Sequence, residues 1–336
     1  MNFDIRYTIN DDSQYARTRL QTGSVKTKPA EFGNRSVTYC REGDLMRRET
    51  LPFKPCLDLE TPLGEGPVWD DARGLLWFVD ILLPAIFSYT PATGSLERHA
   101  MPDAVTSIGL TADERLIVSL RKDVCFFTPS TGALDHLVTP EPDRAMNRLN
   151  DGKVGPDGAF WVGSMHATRP AQPTAALYRI VADGTCTRMI DGIRVSNGLA
   201  WSPDNLTLYH ADSREPAIRA WDFDPTTGTI AKPRLLASPT EEQGLPDGAA
   251  VDTDGNYWSA GVTGGCINVF SPEGELLKTI AVPIAAPTMP CFGGDDGKTL
   301  FVTGLTRETG TTTSKGKLFS CRVEAEGTPV YRFVVS

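Results

Sequence analysis

The sequence predicts an all-β protein, a six-bladed β-propeller with a metal site on its central axis. Three observations predict it: a strand-turn-strand motif recurs six times, its spacing is nearly constant, and polar residues recur at one position of the motif. Each motif carries an aspartate in its turn, and the six are Asp71, Asp113, Asp157, Asp204, Asp254 and Asp296. Their separations are 42, 44, 47, 50 and 42 residues. A period near 45 residues, with about four short strands per unit, is typical of propeller blades.

Each repeat also supplies the outer half of a blade. The segment "AIFSYTPATGSLERHA", which starts at Ala85, contains two strand-like stretches around a Gly-containing turn, which is the pattern of a β-hairpin. The first complete inner hairpin is expected near residues 66–81 and the last near 290–304. No stretch has a long helical period, so the whole repeat region is predicted to be strands and turns.

The extent of the repeat sets the limits of the predicted domain. Propellers often exceed 250 residues as one domain, and we therefore assign residues 56–336 to a single propeller. Residues 1–55 fall outside the repeat and form an N-terminal extension of uncertain order. The stretch "FKPCLDL", at 53–59, is predicted to close the ring by pairing with the last blade.

Charge and composition exclude several classes of function. The net charge is −9, and residues 1–55 hold 10 basic and 7 acidic side chains, so the remainder is more acidic still. An acidic body argues against nucleic-acid binding and suits a cation or a small uncharged substrate. No run of 18 apolar residues predicts a membrane span. Seven scattered cysteines and the lack of a signal-like segment predict a cytoplasmic protein. We expect a monomer or a small homo-oligomer.

One position of the repeat collects polar residues that a strand core does not need. Seven residues before the turn aspartate stand Thr106, Asn150, Asn197, Asp247 and Met289, and Glu65 stands six before Asp71. This position lies at the start of each innermost strand, next to the central axis. We therefore predict that Glu65, Asn150, Asn197 and Asp247 converge there, although an Asn-Gly or Asp-Gly pair taken alone is more often a turn.

Two carboxylates and two amide oxygens at one point repel one another unless a cation lies between them. A set of oxygen ligands without His or Cys fits a hard divalent ion. The expected cofactor is one such ion, Ca²⁺ or Zn²⁺, with Mg²⁺ and Mn²⁺ as alternatives. The motifs of serine hydrolases and nucleotide-binding enzymes are absent from the sequence.

Five segments resemble the signatures of the SMP-30/gluconolactonase/luciferin-regenerating-like family. They are, in order, "LGEGPVWD", "NRLNDGKVGPDG", "SNGLAWSPD", "PDGAAVD" and "CFGGDDGKTL", and the resemblance covers about residues 56–323. It implies a six-bladed propeller that binds a divalent metal and hydrolyses sugar lactones, so that residues 56–336 form a lactonase domain. It also implies that Glu65, Asn197 and Asp247 hold the metal.

The same resemblance implies that Arg148 and Asn150 contact the substrate. Relatives have an acidic residue just after a "GTM" motif, where this chain has "GSMHATRP" with Ala167 and Thr168; His166 is a further candidate for substrate binding. The interpretation is a metal-dependent lactonase acting on a gluconolactone-like or pentonolactone-like sugar, with Asp247 as the catalytic residue that ligates the metal and accepts a proton from water. The alternatives are a phosphotriesterase-like hydrolase and a non-catalytic metal-binding propeller.

Overall fold

The structure is a computed structural model that describes residues 48–335, and these residues form six antiparallel blades. No α-helix occurs between Arg48 and Val335. Two short strands come first, β1 (Glu49–Thr50) and β2 (Lys54–Pro55). The six-bladed all-β prediction is confirmed, and the first and last inner hairpins span Gly64–Asp80 and Pro287–Gly304.

Blade 1 consists of β3 (Gly64–Asp70), β4 (Leu75–Asp80), β5 (Ala85–Thr90) and β6 (Ser95–Ala100). Blade 2 consists of β7 (Val105–Thr111), β8 (Leu116–Leu120), β9 (Val124–Thr128) and β10 (Ala133–Val138). Blade 3 consists of β11 (Asn147–Val154), β12 (Phe160–His166), β13 (Ala175–Ile180) and β14 (Cys186–Ile193). Blades 4 and 5 consist of β15 (Ser196–Trp201), β16 (Thr207–Asp212), β17 (Ala217–Asp224) and β18 (Thr229–Ala237); β19 (Pro246–Val251), β20 (Tyr257–Gly261), β21 (Cys266–Phe270) and β22 (Leu276–Ala281). The last strands are β23 (Pro287–Gly293), β24 (Thr299–Gly304), the hairpin β25 (Arg307–Thr309) and β26 (Thr312–Ser314), β27 (Phe319–Arg322) and β28 (Arg332–Phe333).

The ring closes through the beginning of the described chain. Blade 6 takes only three strands from its own repeat, β23, β24 and β27, and β2 is its fourth, pairing Lys54 with Ser320. The predicted closure by the 53–59 segment is therefore confirmed. β1 extends blade 5 by pairing with β22, so residues 49–50 and 54–55 pair with blades. The rest of the predicted extension, residues 1–47, lies outside the described residues.

The hydrophobic core is divided among the blade interfaces. Six clusters of buried apolar side chains lie between neighbouring blades, one at each interface. At the interface of blades 3 and 4, for example, Trp161 and Trp201 pack edge to face with ring centroids 6.0 Å apart. Each blade packs both of its faces against neighbouring blades. A ligand is therefore expected to bind at the ends of the inner strands, next to the central axis.

The C-terminal segment crosses the end of the propeller that carries the turns between the first two strands of each blade. We call residues 326–335 the C-terminal strap. Its contacts reach all six blades, through Asp70, Ala112, Gly158, Asn205, Val251 and Gly297. Within it, β28 pairs in parallel with β7 at the inner edge of blade 2. The strap thus ties the turns of every blade together on one face.

The strap also closes the axial channel from that face. A cavity of about 80 Å³ lies between the inner strands and residues 328–331, and it is lined by apolar groups and by Lys153. The amine of Lys153 donates a hydrogen bond to the carbonyl oxygen of Ala249, at 2.8 Å. Among residues 48–335, nothing forms a helix long and apolar enough to cross a membrane.

Candidate metal centre

The inner strand of every blade is irregular at the predicted axial position. Pairing between the first two strands shifts register at one place in each blade, between residues 65 and 68, 105 and 107, 149 and 152, 197 and 200, 246 and 249, and 287 and 290. A β-bulge of this kind breaks the strict alternation of side chains between the two faces. In every blade the shift falls at or next to the predicted axial position, so simple alternation does not decide where that side chain points.

Glycine follows the axial residue where the chain must turn sharply. Gly198 has a φ of +66°, and a Cβ at this position would lie 2.3 Å from the hydroxyl oxygen of Tyr257. That hydroxyl donates a hydrogen bond to the carbonyl oxygen of Gly198, at 2.7 Å. Only glycine combines this left-handed backbone with this close approach, which explains the Asn-Gly pair at the mouth of β15.

Hydrogen bonds join the predicted site residues of blades 3 and 4. Arg148 donates to Oδ1 of Asn150 at 2.9 Å, as expected for residues two apart on one strand. Asn150 in turn donates from Nδ2 to the carbonyl oxygen of Ser196 at 2.9 Å and to Oδ1 of Asn197 at 3.1 Å. The structure therefore brings Arg148, Asn150 and Asn197 together.

The amide of Asn197 is held in one orientation. Its Nδ2 donates to Oγ of Ser213 at 2.8 Å, and the Ser213 hydroxyl donates to the carbonyl oxygen of Pro246 at 2.6 Å. Pro246 precedes Asp247, so this bond joins blades 4 and 5. With its nitrogen used in this way, Asn197 presents Oδ1 toward Asn150.

Glu65 and Asp247 lie close enough to repel each other. Burial, followed by the charges of Asp247 and Asp151, raises the pKa of Glu65 well above its usual range. Burial and the charge of Asp151 raise the pKa of Asp247 to about 8, against partial compensation from Arg148 and Arg214. Two neighbouring carboxyls with raised pKa values, one buried and one half-buried, are a condition in which a bound cation is strongly stabilising.

Asp151 is a further carboxyl at this place, itself buried, which the sequence analysis did not single out. It follows Asn150 directly, and simple strand alternation would turn it away from the axis. The bulge between residues 149 and 152 removes that alternation. Asp151 accepts a hydrogen bond from the backbone N–H of Leu199 at 3.1 Å, and the charge of Lys153 partly offsets the effect of burial, which raises its pKa.

The donor groups fit the predicted metal ion. Asp151 has backbone N–H partners and the charge of Lys153. Among residues 48–335, Glu65 accepts one hydrogen bond, from the N–H of its neighbour Gly66, and Asp247 accepts one from the N–H of Gly248. Of these three carboxyls, the two whose pKa values are raised most are two of the predicted ligands, beside the amide oxygen of Asn197. Within residues 48–335, no point gathers three or more His, Cys, Asp or Glu side chains as a metal site, and the assignment of the centre remains a prediction.

Within residues 48–335, His166 forms no hydrogen bond with these groups. Its side chain is buried, and Nδ1 lies 3.2 Å from both the carbonyl oxygen and Oγ1 of Thr168 in the same loop. The strand register places His166 opposite Asn147, not opposite Arg148. Its predicted contact with substrate stays a prediction. Ser213 and Arg214 border the centre instead, and no repeat pattern marks them in the sequence.

Comparison with known proteins agrees with this architecture. Residues 63–306 match the family model described as the SMP-30/Gluconolactonase/LRE-like region. Regucalcin of Oryctolagus cuniculus is 34% identical over 245 residues, which cover 71% of this chain and 82% of that protein. The 6-deoxy-6-sulfogluconolactonase of Pseudomonas putida is 34% identical over 242 residues, which cover 72% and 82%.

A solved structure shows the same fold. A calcium-binding regucalcin from Agrobacterium tumefaciens superimposes with a TM-score of 0.79 at 26% identity and covers 86% of this chain and 100% of that one. The C-terminal strap begins after the end of the family match at residue 306. The extent of that match, and relatives above 30% identity over most of both chains, show that this chain belongs to the SMP-30/gluconolactonase/LRE-like family.

Proposed function

We propose that this protein hydrolyses a sugar lactone with the help of one divalent metal ion. The observation that carries the proposal is the closeness of Glu65 and Asp247, a half-buried and a buried carboxyl that repel each other beside the oriented oxygen of Asn197. Family membership supports the reaction class, since one relative is named as a lactonase. Calcium is supported by the description of the Agrobacterium protein as calcium-binding.

Glu65, Asn197 and Asp247 would hold the ion, which would polarise the lactone carbonyl as a Lewis acid. Asn150 lies against Asn197, and Arg148 lies against Asn150. These two side chains would hold the hydroxyl groups of the sugar ring, and so fix the carbonyl carbon within reach of Asp247. The pocket would thus bind the ring on the blade 3 side of the axis.

Hydrolysis opens the ring by addition of one water. The water oxygen bonds to the carbonyl carbon while a carboxylate oxygen of Asp247 accepts a proton from that water. The bond between the carbonyl carbon and the ring oxygen then breaks, and the ring oxygen takes up a proton and leaves as a hydroxyl. The product is an aldonic acid, which releases one proton near neutral pH.

Composition supports a reducing compartment for the protein. The six cysteines of the described residues, at positions 56, 125, 186, 266, 291 and 321, form no disulfide. We include a cytoplasmic location in the proposal because unpaired thiols persist in such compartments.

The test is a substrate panel with the metal-reconstituted protein. Aldonolactones and a phosphotriester are supplied in turn with Ca²⁺, Zn²⁺, Mg²⁺ or Mn²⁺, and proton release is followed. We expect lactone hydrolysis that requires the ion and that is lost in Glu65→Gln, which keeps the shape of the side chain. Cleavage of the phosphotriester alone would show that the protein is a phosphotriesterase-like hydrolase and not a lactonase. Metal binding without hydrolysis of any substrate would show that it is a non-catalytic metal-binding propeller.

A further inference from the structure

Two arginines beside the candidate metal centre have no carboxylate partner. Arg169 follows β12 in blade 3, Arg214 follows β16 in blade 4, and both are exposed. Within residues 48–335, neither guanidinium group takes part in a salt bridge or a side-chain hydrogen bond. Several other arginines of these two blades have a carboxylate partner, as Arg144 has in Asp191 and Arg219 in Glu215.

Backbone connections place Arg214 at the centre. Ser213, its neighbour, lies between Asn197 and Pro246, and the N–H of Arg214 donates to Oδ1 of Asp212 at 2.9 Å. The N–H of Ser213 donates to the carbonyl oxygen of Val195 at 3.0 Å, so the turn that carries Arg214 lies against the residues just before β15. The same turn contacts Pro246, which precedes Asp247.

The loop that carries Arg169 is joined to the same part of the chain, the residues just before β15. It begins after His166, whose N–H donates to the carbonyl oxygen of Arg194, and Arg194 also donates to the carbonyl oxygen of Ala171 at 2.8 Å. These bonds tie the loop to the start of blade 4, next to β15. Residues 166–175 contain no Asp or Glu, so the loop brings no anion to neutralise its arginine.

Within the part of the chain that the structure describes, neither guanidinium group forms a salt bridge, although acidic residues outnumber basic ones in this chain. Its net charge is −9, and carboxylates are available to pair with most of its arginines. Two like charges held near each other repel, and an anion between them removes that repulsion. Guanidinium groups bind the oxygens of sulfonate, phosphate and carboxylate groups through paired hydrogen bonds.

We propose that Arg169 and Arg214 bind a negatively charged substituent of the lactone, so that the substrate is an anionic sugar lactone. The inference rests on the proposed lactonase function and names the substrate class of that site. The substituent would be an oxyanion on the exocyclic carbon of the ring. A sulfonate, a phosphate monoester or a carboxylate can each provide such a group.

The experiment compares charged and uncharged lactones with the metal-loaded protein. Glucono-1,5-lactone is tested beside its 6-phosphate, its 6-sulfonate and a lactone with a 6-carboxylate. We expect kcat/KM to favour at least one anionic lactone by about 10- to 100-fold, the range for a hydrogen bond to a charged group. Which of the three is preferred identifies the substituent. The same preference should weaken as salt is raised.

Variants separate the arginine pair from the rest of the site. In Arg169→Gln and Arg214→Gln, the ratio of kcat/KM for the preferred anionic lactone over the neutral one should fall by about 10- to 100-fold. Arg188→Gln is the matched control, since Arg188 is an exposed arginine of blade 3 that pairs with Asp191 at 3.2 Å, and its ratio should equal that of the unmutated protein. An unchanged ratio in both site variants, or no preference in the unmutated protein, would overturn the inference and leave the lactonase proposal standing.

A binding measurement keeps the two proposals distinguishable. Calorimetry with 6-phosphogluconate and with gluconate requires no turnover. We expect the phosphorylated acid to bind about 10-fold or more tightly than gluconate, and Arg214→Gln to remove the difference. If no lactone is hydrolysed, the proposed function fails. If the two acids bind equally in the unmutated protein, the arginine pair has no role in recognising the anion.

Discussion

Asn150 donates a hydrogen bond from Nδ2 to Oδ1 of Asn197, 3.1 Å away, and so joins the inner strands of blades 3 and 4. This bond is the middle of a chain that runs from Arg148 through the two asparagines to Ser213 and the carbonyl oxygen of Pro246. Each amide is oriented by the next group. A candidate substrate residue and a candidate metal ligand are therefore positioned together.

The orientation of Asn197 should contribute to metal affinity. Ser213→Ala removes the partner of Nδ2, and we expect affinity for Ca²⁺ to fall by about 10-fold or more, as for other groups that orient a ligand. Asn197→Ala should lower it further. Titration calorimetry measures both. Met289→Leu, at the apolar axial position of blade 6, is the control and should bind as the unmutated protein does; equal affinity in all four proteins would contradict the ligand assignment.

Asp247 should be needed for chemistry as well as for binding. Asp247→Asn keeps an oxygen ligand but removes the charge and the proton acceptor. We expect lactone hydrolysis to fall by about 10²-fold or more at saturating metal, the usual scale for loss of a general base. Activity and bound metal are assayed in parallel as metal is raised. Full recovery of activity once the site is filled would show that Asp247 serves only as a ligand.

Arg148 should act on substrate binding. Its guanidinium donates to the carbonyl oxygen of Leu149 and to Asn150, and Arg148→Ala removes a donor to the ring hydroxyls while all three predicted metal ligands stay in place. We expect a higher KM for a polyhydroxy lactone and the same metal content as in the unmutated protein. Steady-state kinetics and metal analysis test this, and loss of metal would assign Arg148 a structural role.

The metal-free protein should lose stability as pH rises. The folded pKa of Asp247 is raised to about 8, against about 3.9 for an unfolded aspartate. The folded state therefore holds this proton more tightly, and its contribution is present below about pH 4 and is lost as pH rises toward 8. Thermal unfolding in a chelator from pH 4 to 8 should show a falling Tm, and Asp247→Asn should fall less. Parallel curves for the two proteins would exclude this cause.

The C-terminal strap should stabilise the whole propeller. Phe333 is fully buried, with 0% exposure, whereas its neighbour Val334 is 61% exposed. Phe333→Ala leaves a cavity between blades 2 and 3 and should reduce the free energy of unfolding by about 3–5 kcal/mol. Val334→Ala, the control, should change it by at most about 0.5 kcal/mol. Chemical denaturation measures both, and equal effects would show that the strap is not part of the core.

Several features of the site follow from local pattern. The turn aspartates recur because each first hairpin needs a tight turn, and the axial position was found by counting back from them. That count located Glu65, Asn150, Asn197 and Asp247 in their blades, and strand alternation correctly related Arg148 to Asn150. Asp151 was missed for a physical reason, since alternation predicts that it faces away, and the bulge that reverses it depends on pairing with β12.

The sequence by itself determined the number of blades, the strand that closes the ring and the polar axial position, because these depend on short-range periodicity and on residue chemistry. Only the tertiary structure decided which carboxyls have strongly raised pKa values, that the loops of Arg169 and Arg214 meet beside β15, and that residues 326–335 reach every blade. These relationships join residues from different blades, often more than 100 positions apart. They arise from the way six independently patterned sheets close into a ring, which no local repeat records.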